Sequence, residues 1–239
     1  MWTLFTSQMF TPYTLERERA MTSPAVRTYH HGDLRRALID EGLQLARTGG
    51  PAAVTLREAT RAVGVSPNAA YRHFADRDAL VHAVAHEAQR ALAAAILARV
   101  AATPGDLPAR DASVERLRRV GFAYIAFARA EPGWFETAFF TQDSQASAGI
   151  VTLDDEIVAP FRVLMDTLDA MVTAGALAAD RRPFAEWACW SAVHGFADIA
   201  VHGPVRRQPP EVVDALAAAV VESAITGVLG APAPSTATS

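Results

Sequence analysis

Residues 66–74 read SPNAAYRHF. Asn68, Tyr71, Arg72 and His73 all carry hydrogen-bonding side chains, crowded into what the flanking residues mark as one short helix. At 100° per residue from Pro67, Ala70 and Phe74 fall together and form the inward face. Arg72 points the opposite way, with Asn68 and Ala69 within about 60° of it and Tyr71 and His73 at the edges. An arginine in that position donates two hydrogen bonds to guanine, and an asparagine pairs bidentately with adenine. An alanine methyl meets the thymine methyl and lets the backbone come close. Tyrosine and histidine at the rim suit phosphate oxygens. The pattern predicts base readout by an exposed helix face. Arg and Asn also sit on ordinary solvated helices, so the elements around this one decide between the two.

Those elements favour readout. Ser66 stands at the N-cap with Pro67 in the first turn, where its missing N–H costs nothing. Thr55-Leu-Arg-Glu58 has the form of a capping box, the threonine capping a helical amide while the glutamate reaches back. Leu56, Ala59 and Val63 face inward, and Gly64 ends that helix as a left-handed residue would. Two short helices joined through Gly64-Val65-Ser66 make a helix-turn-helix. Upstream, Leu34, Leu38 and Leu45 recur at helical spacing and the segment ends at Gly49-Gly50. Downstream, Asp76 caps a long helix running to about Ala102.

The break TPGDLPA (103–109) is followed by helical blocks at about 111–130, 132–141, 153–175 and 184–202. GPVRRQPP (203–210) breaks the chain again before a last helix over 210–229. Strand alternation and internal repeats are not seen. The chain therefore reads as all-α, with about nine helices. The expected organisation is a disordered N-terminal extension over 1–26, a DNA-binding domain over 27–75, a helical effector-binding and dimerisation domain over 76–230 and a disordered tail over 231–239. Translation from Met1 and from Met21 are both compatible with the extension.

With 239 residues and 51% hydrophobic content, the chain can build a substantial core in one large domain or two modest ones. The net charge of −4 argues against nucleic acid, but it is unevenly placed: +2 over residues 24–82 and −6 from residue 83 onward. All 22 basic residues are arginine. Cys189 is the single cysteine, so an internal disulfide is impossible and a buried thiol in WACWSAV is expected. The N-terminus lacks a signal-peptide pattern, and charges break every apolar stretch before the ~20 residues needed to span a bilayer. A cytoplasmic protein without a membrane partner is expected.

The segment from Tyr29 to Ala88 resembles the N-terminal domain of the tetracycline-repressor (TetR) family of bacterial regulators. It carries a first helix, then T-L-R-E, the turn V-G-V-S, A-x-Y-R-H-F and D-R-D-A-L. The resemblance implies that Thr55 touches phosphate and that Ser66 to Arg72, including Pro67, Asn68 and Ala69, form the recognition helix. It implies backbone contacts for Tyr71, His73 and Arg77, and a minor-groove or backbone arm from Arg27, Tyr29, His30 and His31. The family's regulators act as dimers on double-stranded, pseudo-palindromic operators, with half-sites about 34–36 Å apart or a multiple of that. A repressor released by a small effector is the expected function.

W190-S-A-V-H-G195 resembles the Trp-His-Gly type of C-terminal domain within that family. Trp190 and His194 are four apart and share a helix face, and Gly195 would allow close helix approach. A packing contact, even across a dimer, fits as well as a ligand contact. The resemblance implies an effector pocket among the middle helices. The candidate lining is Phe122, Phe127, Trp134, Phe161, Met165 and Trp187, with His194 as polar handle, which favours an apolar or aromatic effector. A homodimer through the last two long helices is expected, the run ALAAAVVESAITGVL permitting close packing. His82, His86 and Glu87 lie near one another on the fourth helix, but a third and fourth metal ligand are not local, so neither metal nor cofactor is expected. Asp154-Asp155-Glu156 suits a helix start better than a catalytic carboxylate set. Two alternatives stay open: regulation by a protein partner instead of a ligand, and an all-helical enzyme, for which no nucleophile constellation or phosphate loop is present.

Overall fold

The computed structural model describes residues 31–139 and 159–230, with backbone alone at 31–33. Arg27, Tyr29, His30, the His31 side chain, Phe140, the 154–156 acidic run and both terminal extensions lie outside the described residues. Among those described there are nine α-helices and no strand. They are α1 (His31–Ala53), α2 (Leu56–Val63), α3 (Pro67–Ala70), α4 (Arg77–Ala101), α5 (Ala109–Ala130), α6 (Pro132–Phe139), α7 (Ala159–Thr173), α8 (Ala185–Val201) and α9 (Pro210–Leu229). Short 3-10 turns, Ala179–Arg181 and Pro204–Arg207, precede α8 and α9.

Local chemistry sets the boundaries. The Thr55 hydroxyl accepts from the Glu58 amide at 3.2 Å and so caps α2. Gly64 ends α2 at φ 79°, its amide donating to the Thr60 carbonyl at 2.9 Å. Asp76 caps α4 by accepting from the Ala79 amide at 2.8 Å. Because α2 has only eight residues, its cap is a large part of its local stability. Thr55→Ala is expected to lower unfolding free energy by about 1 kcal/mol, in the usual range for a lost N-cap. Urea titration checks this, and an unchanged midpoint would show that the cap bond contributes nothing.

Two cores form. The first holds Leu34, Leu38, Ala46, Leu56, Ala59, Ala70 and Phe74 from α1–α3 and the turn after them, with Leu80 and Val84 from α4. The second holds Leu92 and Ile96 from the far half of α4 together with α5–α9. Thus α4 threads both. Trp134 of α6 also packs against both. Buried hydroxyls are paid for locally: Thr60, Ser113, Thr137 and Thr167 each donate to a carbonyl about one turn earlier.

α9 packs one face, Val213, Ala217, Val221, Ile225 and Val228, onto the body. Its outward face carries Val212 and Leu216, each 40% exposed, with Ala215 and Ala219 also exposed. By length and composition α9 could cross a membrane, with mean hydropathy 1.8 over its most apolar window. Asp214 and Glu222 interrupt its apolar run and hide it from a search for unbroken segments. Both acids are paired with α5, Asp214 with Arg129 and Glu222 with Arg118.

Candidate nucleic-acid interface and effector cavity

α3 begins at Pro67, and helical-type bonds continue past its end: the His73 and Phe74 amides donate to the Ala70 carbonyl at 2.8 and 3.0 Å. Ala70 and Phe74 are 0% and 2% exposed, as the inward face requires. The Arg35 guanidinium lies 5.3 Å above the Phe74 ring. Ser66, Pro67, Asn68, Tyr71 and Arg72 are exposed, while Ala69 and His73 are half-buried. Tyr71 is 57% exposed, unusual for so large a ring. Among the described residues, Asn68, Tyr71 and Arg72 make no side-chain hydrogen bond within the chain. Their donors face solvent.

Two expectations need correction. Ser66 occupies the N-cap position, but its side chain makes no cap bond; its carbonyl accepts from the Ala69 amide at 3.0 Å. Glu58 does not reach back to close a capping box, because Arg61 one turn on takes its carboxylate. Arg77 is exposed and lies beside Asp78, while its Nε donates to the Val54 carbonyl at 2.9 Å and its Nη2 to that of Pro51. Its guanidinium thereby braces the loop that ends at Thr55.

In the body, a narrow cavity of about 30 Å³, room for roughly one or two waters, lies between α5, α7, α8 and α9. Leu117, Tyr124, Leu164, Trp190, His194 and Ile225 are among its walls. Of the seven expected lining residues only His194 reaches it. Phe161 sits behind Trp190, ring centroids 5.2 Å apart, and Trp187 sits behind Phe161. Phe127 packs near Trp134, whose indole donates to the Leu43 carbonyl of α1 at 2.7 Å. Phe122 and Met165 are half-buried and pack against the core. Aromatic content alone gives no direction around a helix.

The missed residue is Tyr124. Its hydroxyl is 2.7 Å from His194 Nδ1, and it packs edge-on to Trp190 at 5.3 Å. Trp190 and His194 stack at 5.5 Å with a 12° interplanar angle, the product of their four-residue spacing. Phe135 and Phe139 of α6 close on the same imidazole at 5.6 and 5.2 Å. A tyrosine in the middle of an apolar helix needs a partner for its hydroxyl, and that was the available signal. Gly195 meets no described atom within 4 Å of an added Cβ; the close helix approach is at Gly121, against Val221 at 3.0 Å.

Burial holds the His194 imidazole below its ordinary value, against an opposing pull from Asp198, and pushes the Tyr124 phenol well up. The pair is therefore neutral near pH 7. A histidine depressed in the folded chain binds fewer protons there than when unfolded. Its contribution is present above the usual 6.5 and is lost as pH falls below that toward the folded value. Wild type is expected to lose stability between pH 7.5 and 5.5 by more than His194→Gln does, measured by urea unfolding at each pH; equal losses would show that His194 is not the group responsible. Burial likewise raises the Cys189 thiol to about 11, with a further push from Glu186, which leaves it unreactive. Among the described residues no three His, Cys, Asp or Glu are placed to share a metal ion. Glu87 instead pairs with Arg36 and Arg90.

Two family models match this sequence. Residues 38–84 match the model of bacterial regulatory proteins of the tetR family, and residues 117–224 match a tetracyclin repressor-like C-terminal domain. The chain belongs to the TetR family. This TetR-family protein is a DNA-binding transcriptional regulator whose helix-turn-helix is α2–α3. The N-terminal match includes Thr55, the 66–73 face and Arg77; the C-terminal match includes Tyr124, Trp190 and His194.

Solved structures share the fold. A protein of unknown function from Rhodococcus sp. RHA1 aligns at TM-score 0.64 and 23% identity, covering 85% of this chain and 100% of that one. A TetR-like transcriptional regulator from the same source aligns at 0.52 and 15%, covering 85% and 100%. A TetR-family regulator from Thermus thermophilus aligns at 0.50 and 19%, covering 79% and 96%. No curated protein is detectably similar to this TetR-family chain.

Proposed function

We propose that the protein is a repressor that grips a pseudo-palindromic operator as a homodimer and is released by a small, largely apolar effector. The observation that carries this is the exposed, unpaired Asn68–Tyr71–Arg72 face, held on buried Ala70 and Phe74. Arg72 and Asn68 read bases, the Ala69 backbone sits close to the groove floor, and Tyr71, His73, Ser66 and the Thr55 end of α2 contact phosphates. Arg77 acts as a brace for that end. The dimer forms through α8 and α9, whose outward faces expose Ile199, Val212 and Leu216. The effector enters between α5, α7 and α8, meeting Tyr124 and His194 as its hydrogen-bonding pair. The cavity must widen to admit it, so the effector selects the wider conformer, and only differential affinity moves the equilibrium. Catalysis is not part of this function, and a cytoplasmic site of action follows from it.

The test is competition. Aromatic and apolar compounds that raise the melting temperature are titrated into the preformed operator complex. Release of DNA at concentrations that saturate the free dimer supports effector control. A compound bound equally by complex and free dimer refutes it, and operator release only by a second protein would favour the protein-partner alternative.

A further inference from the structure

A second cleft, of about 470 Å³, opens between the DNA-binding unit and the body. That lies within the range of about 300–1,000 Å³ usual for small-molecule sites. It shares no lining residue with the Tyr124–His194 cavity. Its charged walls are Arg47 of α1, Arg129 of α5, Glu136 of α6 and Arg206 in the turn after α8. Part of the remaining wall is bare backbone. Gly50 is left-handed at φ 62°, and Gly133 sits so close to α1 that an added Cβ would fall 2.1 Å from the Ala46 carbonyl oxygen.

The charges in this wall are unevenly committed. Arg47 is held by Glu131 through Nε, at 2.7 Å, and Nη2. Arg129 is held by Asp214 through Nη1 alone, which leaves its Nε and Nη2 without a hydrogen bond among the described residues. Neither acid lines the cleft. The side chains of Arg206 and Glu136 make no hydrogen bond or ion pair among the described residues. Arg206 is exposed, but Glu136 is half-buried. Its carboxylate lies over Gly50, where an added Cβ would fall 2.6 Å from Oε2. A half-buried carboxylate is costly to leave without a partner. Three helix ends also open on the cleft: α1 where it kinks at Gly50, and the C-termini of α5 and α8. Their last carbonyls add negative potential, which favours a cation. The arginines at those ends offset part of that potential, and Glu136 is left over.

We propose that this cleft binds a small zwitterion of the α-amino acid class, its ammonium on Glu136 and its carboxylate on Arg206 and the open edge of Arg129. A simple anion would face the unpaired carboxylate of Glu136, and a simple cation the unpaired guanidinium of Arg206. A dipolar ligand satisfies both with charge-assisted hydrogen bonds, and the mismatch rejects the single charges. This site is separate from the operator-reading face and from the effector cavity, and it does not depend on the function proposed above.

The test is calorimetric titration of the full-length protein, without DNA, with each of the common α-amino acids and with acetate and methylamine as single-charge controls. The expected result is saturable binding of at least one amino acid, with both controls about tenfold or more weaker. That amino acid is expected to bind about tenfold or more weaker to Glu136→Gln and to Arg206→Gln, the usual effect of losing one charge-assisted hydrogen bond. Neither side chain has a partner among the described residues to lose, so both variants are expected to melt as wild type does. Arg207→Gln changes the adjacent exposed arginine, which does not line the cleft, and Tyr124→Phe changes the effector cavity. Both are expected to bind the amino acid within about twofold of wild type. No saturable heat from any amino acid overturns the proposal. So does acetate or methylamine binding as tightly as the amino acid, and so does undiminished binding by either Glu136→Gln or Arg206→Gln. Loss of binding in Tyr124→Phe would place the ligand in the effector cavity and overturn it too. Failure of operator recognition would leave this site standing, since no DNA enters the assay.

Discussion

Replacing Leu216 by aspartate is expected to turn the dimer into monomers and to lower operator affinity by about 10²–10⁴-fold, the gain that linking two binding modules normally provides. Leu216 lies near the middle of the outward face of α9, one turn from Val212 and flanked by exposed Ala215 and Ala219. The opposite face is already used, with Val213, Ala217 and Val221 packed into the body. An apolar, small-residue strip that the chain does not bury suits a second copy of itself, and the alanines let the two helices come close. A carboxylate there would be desolvated without a partner, since Arg129 and Arg118 already hold Asp214 and Glu222. Sedimentation equilibrium and operator titration read the two consequences. Monomers that still bind one half-site normally are the expected outcome; a persistent dimer would place the interface elsewhere.

Arg72→Ala is expected to remove operator preference while leaving non-specific attraction largely intact. A bidentate arginine–guanine contact contributes about 1–3 kcal/mol of discrimination. Two half-sites in one dimer double that to roughly 2–6 kcal/mol, a loss of about 30-fold or more. Arg72 has no partner among the described residues to lose, so its removal should not destabilise the fold, and the variant's melting temperature is expected to match wild type. Affinity for a scrambled duplex should fall far less. Equal and specific binding by both proteins would show that base readout lies outside this helix.

The helix-turn-helix was legible because its signals are local. Thr55, Gly64, Pro67 and Asp76 act on backbone atoms within a few residues, and Ala70 and Phe74 define an inward face by spacing alone. The last two helices were equally legible from their flanking prolines and glycines. Charges were less so: Glu58 had two possible partners within one turn, and Arg77 two possible directions, and pattern does not choose between them. The cavity was legible only at His194. Tyr124, Gly121 and Ile225 come together there from helices far apart in sequence, and no spacing rule links them. The same holds for α6 on α1, where Gly133 matters through contact with residue 46 and reads as an ordinary helix-start glycine in the chain.

The most direct measurement is a fluorescence anisotropy titration of wild-type protein with the duplex upstream of its own gene and with a scrambled duplex, at several salt concentrations. Sequence-specific regulators bind their site about 10³-fold or more tighter than other DNA, and their log affinity falls linearly with log salt as phosphates are neutralised. That preference and that slope are the predicted result. Equal affinity for the two duplexes across the salt range would contradict operator recognition by the 66–73 face at that sequence, and affinity insensitive to salt would contradict a phosphate-contacting mode altogether.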